Sequence, residues 1–271
     1  MWFDFCIFQT AMKLFQITIL LLCISIGAQE SVEIIPFKTS NLKAHSIIGV
    51  DNFGTIFYTK ENTIYKKDKD TAISYNNLQL GKLTSANSFN PLKINLFYQE
   101  LNTVIILDNR LAEIFKVDFN AINNYKNVTH ISTGYDNTIW LFNQDTQLVE
   151  VFDYKTRTTK AQTLKPIDSP ILDLKSNYNY AYLLTEDALL IYNYFGSLVR
   201  KIENTGYTSL EENNEAVFLK NDNDLFYLKS DSSEVVPVKT DNILIPQFFV
   251  TNETLYIYSD ETLQEFQIKT K

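Results

Sequence analysis

His45 and His130 are the only imidazoles in the chain. Each stands just ahead of a short run suited to a strand, Ser46-Ile47-Ile48 and Ile131-Ser132. Imidazoles set among carboxylates hold metals or move protons near neutral pH. A metal would need further ligands at matching places, and no Asp, Glu or His recurs in that way. Both are read as turn or strand-edge histidines, and no metal, cofactor or catalytic residue is assigned. Asn221-Asp222-Asn223-Asp224 resembles a calcium loop but lacks the turn glycine and the distal bidentate glutamate, so it is expected to be a hairpin turn. Glu211-Glu212 is expected to be a solvated turn rather than an acid/base pair. No Gly-x-Ser-x-Gly elbow occurs, and seven glycines leave no phosphate-cradling loop. The positive signal is aromatic. Asn177, Tyr178 and Tyr180, with Tyr192 and Tyr194, form the densest patch. Tyrosine offers rigid apolar area with a polar end, which suits contact with protein or sugar. These five are the candidate binding residues, and strand alternation is expected to bury some of them.

Composition narrows the classes that such residues can serve. The chain has 271 residues, 24 Lys and Arg against 32 Asp and Glu, and a net charge of −8. Nucleic-acid binding needs a basic face, so no nucleic-acid partner is expected. Hydrophobic residues at 45% and charged residues at 21% describe a globular chain.

Residues 12–29 read as a secretory signal. Lys13 supplies the positive start, Leu14 to Ile26 the apolar run, and Ser25, Gly27 and Ala28 the small residues before cleavage. The run is too short for a membrane span of about 20 residues, and no later segment is long enough. We expect residues 1–29 to be the signal peptide, with the true start at Met12, and no transmembrane span in the mature chain. Leu22 before Cys23 does not fit a lipoprotein signal. Cys6 and Cys23 leave with the signal, so the mature chain has no disulfide. The Gly27-Ala28-Gln29 ending, the body rich in Asn, Lys and Ile, and the acidic balance resemble exported proteins of the Bacteroidota. Asp70-Thr71-Ala72 resembles their short O-glycosylation pattern. The sequons at Asn127 and Asn252 are expected by chance in an Asn-rich chain.

The elements that must position any site come from a repeat. Six stretches open on an Asn or Asp turn and enter an apolar run, at aligned positions 55, 103, 138, 180, 215 and 254. The intervals of 48, 35, 42, 35 and 39 average about 40, the period of a four-stranded β-propeller blade. Each stretch is followed by a second polar turn and another strand-like run. Blade-to-blade packing covers the middle strands on both faces, so continuous apolar runs such as Ile139-Trp140-Leu141-Phe142 are expected there. The segment from Leu96 to Phe115 is read as a hairpin turning at Asp108-Asn109. The last unit has room for three strands, and Val32-Glu33-Ile34-Ile35-Pro36-Phe37 is an orphan before the first. We expect residues 30–271 to be one all-β domain, a six-bladed β-propeller closed by the N-terminal strand pairing into the last blade.

Val50-Asp51-Asn52-Phe53-Gly54-Thr55-Ile56-Phe57 and Gly134-Tyr135-Asp136-Asn137-Thr138-Ile139-Trp140 resemble the Asp-x-x-Gly-x-Ile-Trp pattern of NHL-type and two-component-regulator propeller repeats. The resemblance implies architecture and no single activity, because propellers host many functions. The stretch from Tyr75 to Pro91, within the widest interval, is the expected protruding loop. The balance favours an exported, periplasmic or outer-membrane-associated scaffold over an enzyme, with an envelope protein as partner. A carbohydrate-binding or carbohydrate-active propeller is the alternative, with a glycan as ligand.

Overall fold

The computed structural model describes residues 32–69, 71–230, 232–240 and 243–269. The expected signal peptide and Met12 start, and Asp70 of the glycosylation pattern, lie outside the described residues. None of the helices among the described residues is long and apolar enough to cross a membrane.

The architecture is all-β. A ten-residue strand, β1 (Val32–Asn41), opens it. Four sheets of four antiparallel strands follow. The first is β2 (Ser46–Val50), β3 (Ile56–Lys60), β4 (Thr63–Lys67) and β5 (Ala72–Tyr75). The second is β6 (Ser85–Asn87), β7 (Ile94–Tyr98), β8 (Thr103–Leu107) and β9 (Glu113–Asp118). The third is β10 (Val128–Thr133), β11 (Thr138–Asn143), β12 (Leu148–Asp153) and β13 (Thr158–Gln162). The fourth is β14 (Ile171–Ser176), β15 (Tyr180–Thr185), β16 (Ala188–Asn193) and β17 (Leu198–Glu203). The remainder is β18 (Ser209–Asn213), β19 (Ala216–Asn221), β20 (Asp224–Leu228), β21 (Val235–Lys239), β22 (Gln247–Thr251), β23 (Thr254–Ser259) and β24 (Thr262–Lys269). With β1 these form one eight-stranded sheet in the order β18-β19-β20-β21-β1-β24-β23-β22.

That sheet departs from the expectation of separate four-stranded blades, and β1 is the reason. It pairs antiparallel with β24 from Glu33↔Lys269 to Asn41↔Thr262. At its start it also pairs parallel with β21, at Val32↔Val238 and Glu33↔Lys239. The orphan strand does complete the last unit, and its length lets its first residues bridge to the unit before. The first strands β2, β6, β10, β14, β18 and β22 each touch the next, and β22 returns to β2. The small sheets therefore stand around a common centre in a propeller-like arrangement.

Burial follows from that arrangement. Every residue of β7, β8 and β11 is buried, as expected for strands covered on both faces. The outermost β9 and β17 are mostly exposed. Successive sheets meet through apolar seams. Phe97, Val104 and Ile106 pack on Ile139, Leu141 and Phe152, and Trp140 and Val151 pack on Ala181 and Leu183. Gly49 of β2 is a point of close approach at the centre: a Cβ there would lie 2.7 Å from Ser88 Oγ and 2.9 Å from the Phe249 ring.

The Asn and Asp turns work as their side-chain chemistry dictates. Asp51 Oδ1 accepts from the backbone N–H of Phe53 and Thr55, each at 2.9 Å. Asp108 does the same for Arg110 and Ala112, and Asn193 for Phe195 and Ser197. Asp222, at φ +48°, sits in the tight turn between the paired Asn221 and Asp224, so this stretch is a hairpin.

Two expectations about the second unit are corrected. Thr103, which the repeat sets beside the second strands of the other sheets, opens β8, a third strand; the counterpart is β7. Second strands begin at 56, 94, 138, 180, 216 and 254, spaced by 38, 44, 42, 36 and 38 residues. The misalignment arose because β7 and β8 are equally apolar and both pass a polar turn. It also created the widest interval, and the protruding loop with it. Tyr75 ends β5, Leu78–Leu80 is a 3-10 turn with Leu80 buried, and Ser85–Asn87 is β6 at the centre.

Candidate functional site

Antiparallel strands reverse at alternate ends. The turns from first to second strand and from third to fourth strand therefore share one face of the molecule. At the middle of this turn face lies a cavity of about 330 Å³. Its walls come from β2, β6, β14, β18 and β22 and the turns that leave them.

The charged lining is concentrated on two neighbouring first strands. Lys175 Nζ of β14 lies 2.6 Å from Glu211 Oε1 of β18. Asp173, two residues back on β14, accepts from the Leu210 N–H at 3.1 Å. Burial pushes the Glu211 carboxyl up to about 7, with Asp173 and Glu212 adding to the rise and Lys175 pulling against it. Burial opposes the Lys175 charge, but Glu211 and Asp173 more than offset it and hold the ammonium above its ordinary range. Glu212 is 7% exposed, and burial raises its carboxyl also. Its Oε1 accepts from Asn177 Nδ2 and from the Glu215 N–H, both at 2.8 Å. Its Oε2 is buried without a hydrogen-bond partner. Glu211-Glu212 is thus no solvated turn: both residues belong to the central strand β18, Glu212 buried and Glu211 half-buried.

From Phe89 and Tyr178 in the cavity wall a row of aromatic rings leads away across the turn face. Phe89 meets Tyr178 edge-on at 5.1 Å, and Tyr178 meets Tyr135 at 6.0 Å. Tyr135 continues to Tyr194 at 6.4 Å, and Tyr194 to Phe195 at 6.4 Å. Trp140 supports Tyr194 from the core at 6.0 Å. Phe53 (88% exposed), Phe195 (79%) and Tyr135 (59%) lie open to solvent. Edge-to-face rings hold one another in place, so the row is a preformed surface.

The candidate residues divide. Tyr178 and Tyr194 join the row. Tyr180 faces a different hollow, beside Tyr182 and Arg200. Tyr192 is buried in the seam with Trp140 and Val151. Asn177 is a structural residue, whose Oδ1 accepts from the Asn179 and Tyr180 N–H groups. Tyr135, Phe89 and Phe53 carry no such signal in the sequence, because each reads locally as an ordinary turn residue. His130 lies within β10 rather than ahead of it; burial lowers its pKa, against the pull of Asp173. It lines one shallow hollow and His45 another.

No protein-family model and no curated protein sequence matches this chain. Solved structures match in fold. The WD40 domain of Toxoplasma gondii coronin aligns with a TM-score of 0.61 at 8% identity, covering 89% of this chain and 87% of that one. A streptogramin B lyase aligns at 0.58 and 12% identity, covering 89% and 88%. PorZ, described as an essential bacterial surface component of the type-IX secretion system of Porphyromonas gingivalis, aligns at 0.50 and 12% identity, covering 86% of this chain and 39% of that one. At such identities the likeness shows the fold alone, a β-propeller-like array of small sheets.

Proposed function

We propose that this chain is a six-bladed, exported propeller of the cell envelope that binds a protein partner and catalyses no reaction. The closed succession of six first strands supports the blade count, with β1, β22, β23 and β24 as the last blade. The signal-like residues 12–29 support export, and the surface role printed for PorZ is compatible with an envelope address.

The observation that carries the binding role is the aromatic row on the turn face. Exposed aromatic area held by its own ring contacts is the composition of a protein-binding hot spot. It draws on three blades, so it exists only once the ring has formed.

The test is an affinity pull-down from native envelope extract with residues 30–271 as bait, read by mass spectrometry. A stoichiometric envelope protein is expected. It should be lost with Tyr135→Ser/Phe195→Ser and kept with Glu186→Ser, a control on the opposite face. A partner indifferent to the aromatic pair, or no partner at all, would defeat this reading.

A further inference from the structure

We propose that the cavity at the centre of the turn face receives a cationic group, the guanidinium or ammonium end of an arginine or lysine side chain carried by the protein partner. The source of the group rests on the binding role proposed above; the chemistry of the cavity does not.

Charge is the first argument. Asp51, Glu211 and Glu212 line the cavity against one basic residue, Lys175. Lys175 is already committed to Glu211 at 2.6 Å. Once Glu211 is ionised, the walls hold more acceptor capacity and more negative charge than Lys175 satisfies. Glu212, which also lines the cavity, has a second carboxyl oxygen, Oε2, that is buried without a hydrogen-bond partner. An unpaired buried carboxylate oxygen is costly, and an incoming N–H donor bearing positive charge relieves that cost.

The second argument is the wall itself. Phe53, Phe89 and Tyr178 stand at the mouth. Aromatic faces attract cations, most strongly where water is excluded. An arginine brings five donors and a flat guanidinium that can stack on a ring while reaching a carboxylate. A sugar would supply hydroxyl donors and stack on the same rings, but it would leave the surplus charge uncompensated.

Proton linkage follows from the groups that act on Glu211 or share its cavity. These are Lys175 and Asp173 on β14, Glu212 on its own strand and Asp51 in the turn after β2, with His130 of β10 close enough to feel Asp173. A bound cation favours the ionised carboxylates, so binding strengthens as pH rises through about 7.

Calorimetry on residues 30–271 tests the proposal with blocked arginine, Nα-acetyl-arginine methylamide, as probe. Blocked citrulline is the neutral control and methyl glucoside the sugar control. Blocked arginine is expected to bind at least about tenfold tighter than citrulline, and about tenfold tighter at pH 8 than at pH 6. Glu212→Gln should weaken it about tenfold, and Phe53→Ala several-fold. The exposed Phe53 keeps the test meaningful should Glu212→Gln unfold. Equal binding of citrulline, binding of glucoside in place of arginine, or binding of neither overturns the proposal. Two further arms separate the sources. A free alkylguanidine that outcompetes an arginine-bearing glycine pentapeptide would point to a small amine and overturn the assignment to a partner side chain. A captured partner indifferent to Glu212→Gln would also overturn that assignment. If the Tyr135/Phe195 variant leaves arginine binding intact and captures no less partner, the binding role of the row fails while the cavity chemistry stands.

Discussion

Several residues of this chain carry costs that substitution can reveal. Tyr98 is buried with its hydroxyl unpartnered, and burial with the nearby Glu113 charge pushes its pKa up to about 12. Tyr98→Phe removes the unsatisfied group and keeps the ring, so urea denaturation should show a gain of roughly 1 kcal/mol. Lys126 and Glu150 form a buried ion pair at 2.5 Å, with Asn143 and Thr159 also donating to Glu150. Lys126→Met leaves that carboxylate without its cation and should cost roughly 3–5 kcal/mol. Lys126→Met/Glu150→Leu should recover most of the loss, because removing both charges removes the desolvation penalty. Glu211 predicts a pH dependence. Its folded pKa of about 7 lies above that of an exposed carboxylate, so the folded state binds its proton more tightly. The contribution is full at low pH and fades as pH rises from about 4.5 to 7. Thermal melts should show Glu211→Gln gaining on the parent chain across that window. A parallel shift at every pH would refute the assignment.

The decisive element is β1. It covers the edge of β24 along its length and the edge of β21 at its start, edges that would otherwise offer free hydrogen-bonding groups. Val32 is buried and Ile34 half-buried in the seam with Ile268 and Phe266. Removal of the chain up to and including Asn41 should cost at least about 3 kcal/mol on their apolar burial alone. It should also promote association, seen by light scattering. Phe37→Ser is the contrasting change, since Phe37 is exposed and its loss should alter stability by less than about 0.5 kcal/mol. Equal effects of the two changes would mean that β1 does not close the structure. This strand was legible as an orphan with the right pattern, whereas its bridge to β21 was not, because a run of residues does not say how many edges it serves.

At the scale of the molecule, the chain carries a net charge of −8 and a pI near 4.9. Self-repulsion keeps it dispersed at neutral pH and vanishes as the pI is approached. Turbidity should therefore peak near pH 4.9, and it should do so equally for the Tyr135→Ser/Phe195→Ser variant. A much lower peak for that variant would identify the aromatic row as a self-association surface instead of a partner surface.

What the linear chain determined was local. Asn and Asp marked the turns because their side chains bond the next amides. The runs rich in Tyr, Phe, Ile and Val marked the strands, and the spacing near 40 marked the repeated sheet. The ring decided everything that depends on distant turns meeting. Tyr135, Tyr178 and Phe89 come from three separate turns, and nothing in any one of them signals the others. Glu211 and Glu212 read as soluble polar residues because their type is usually solvated. Only the packing of β18 between β14 and β22 buries Glu212, half-buries Glu211 and sets Lys175 beside it. Side-chain type is a local property, whereas burial and proximity belong to the closed structure.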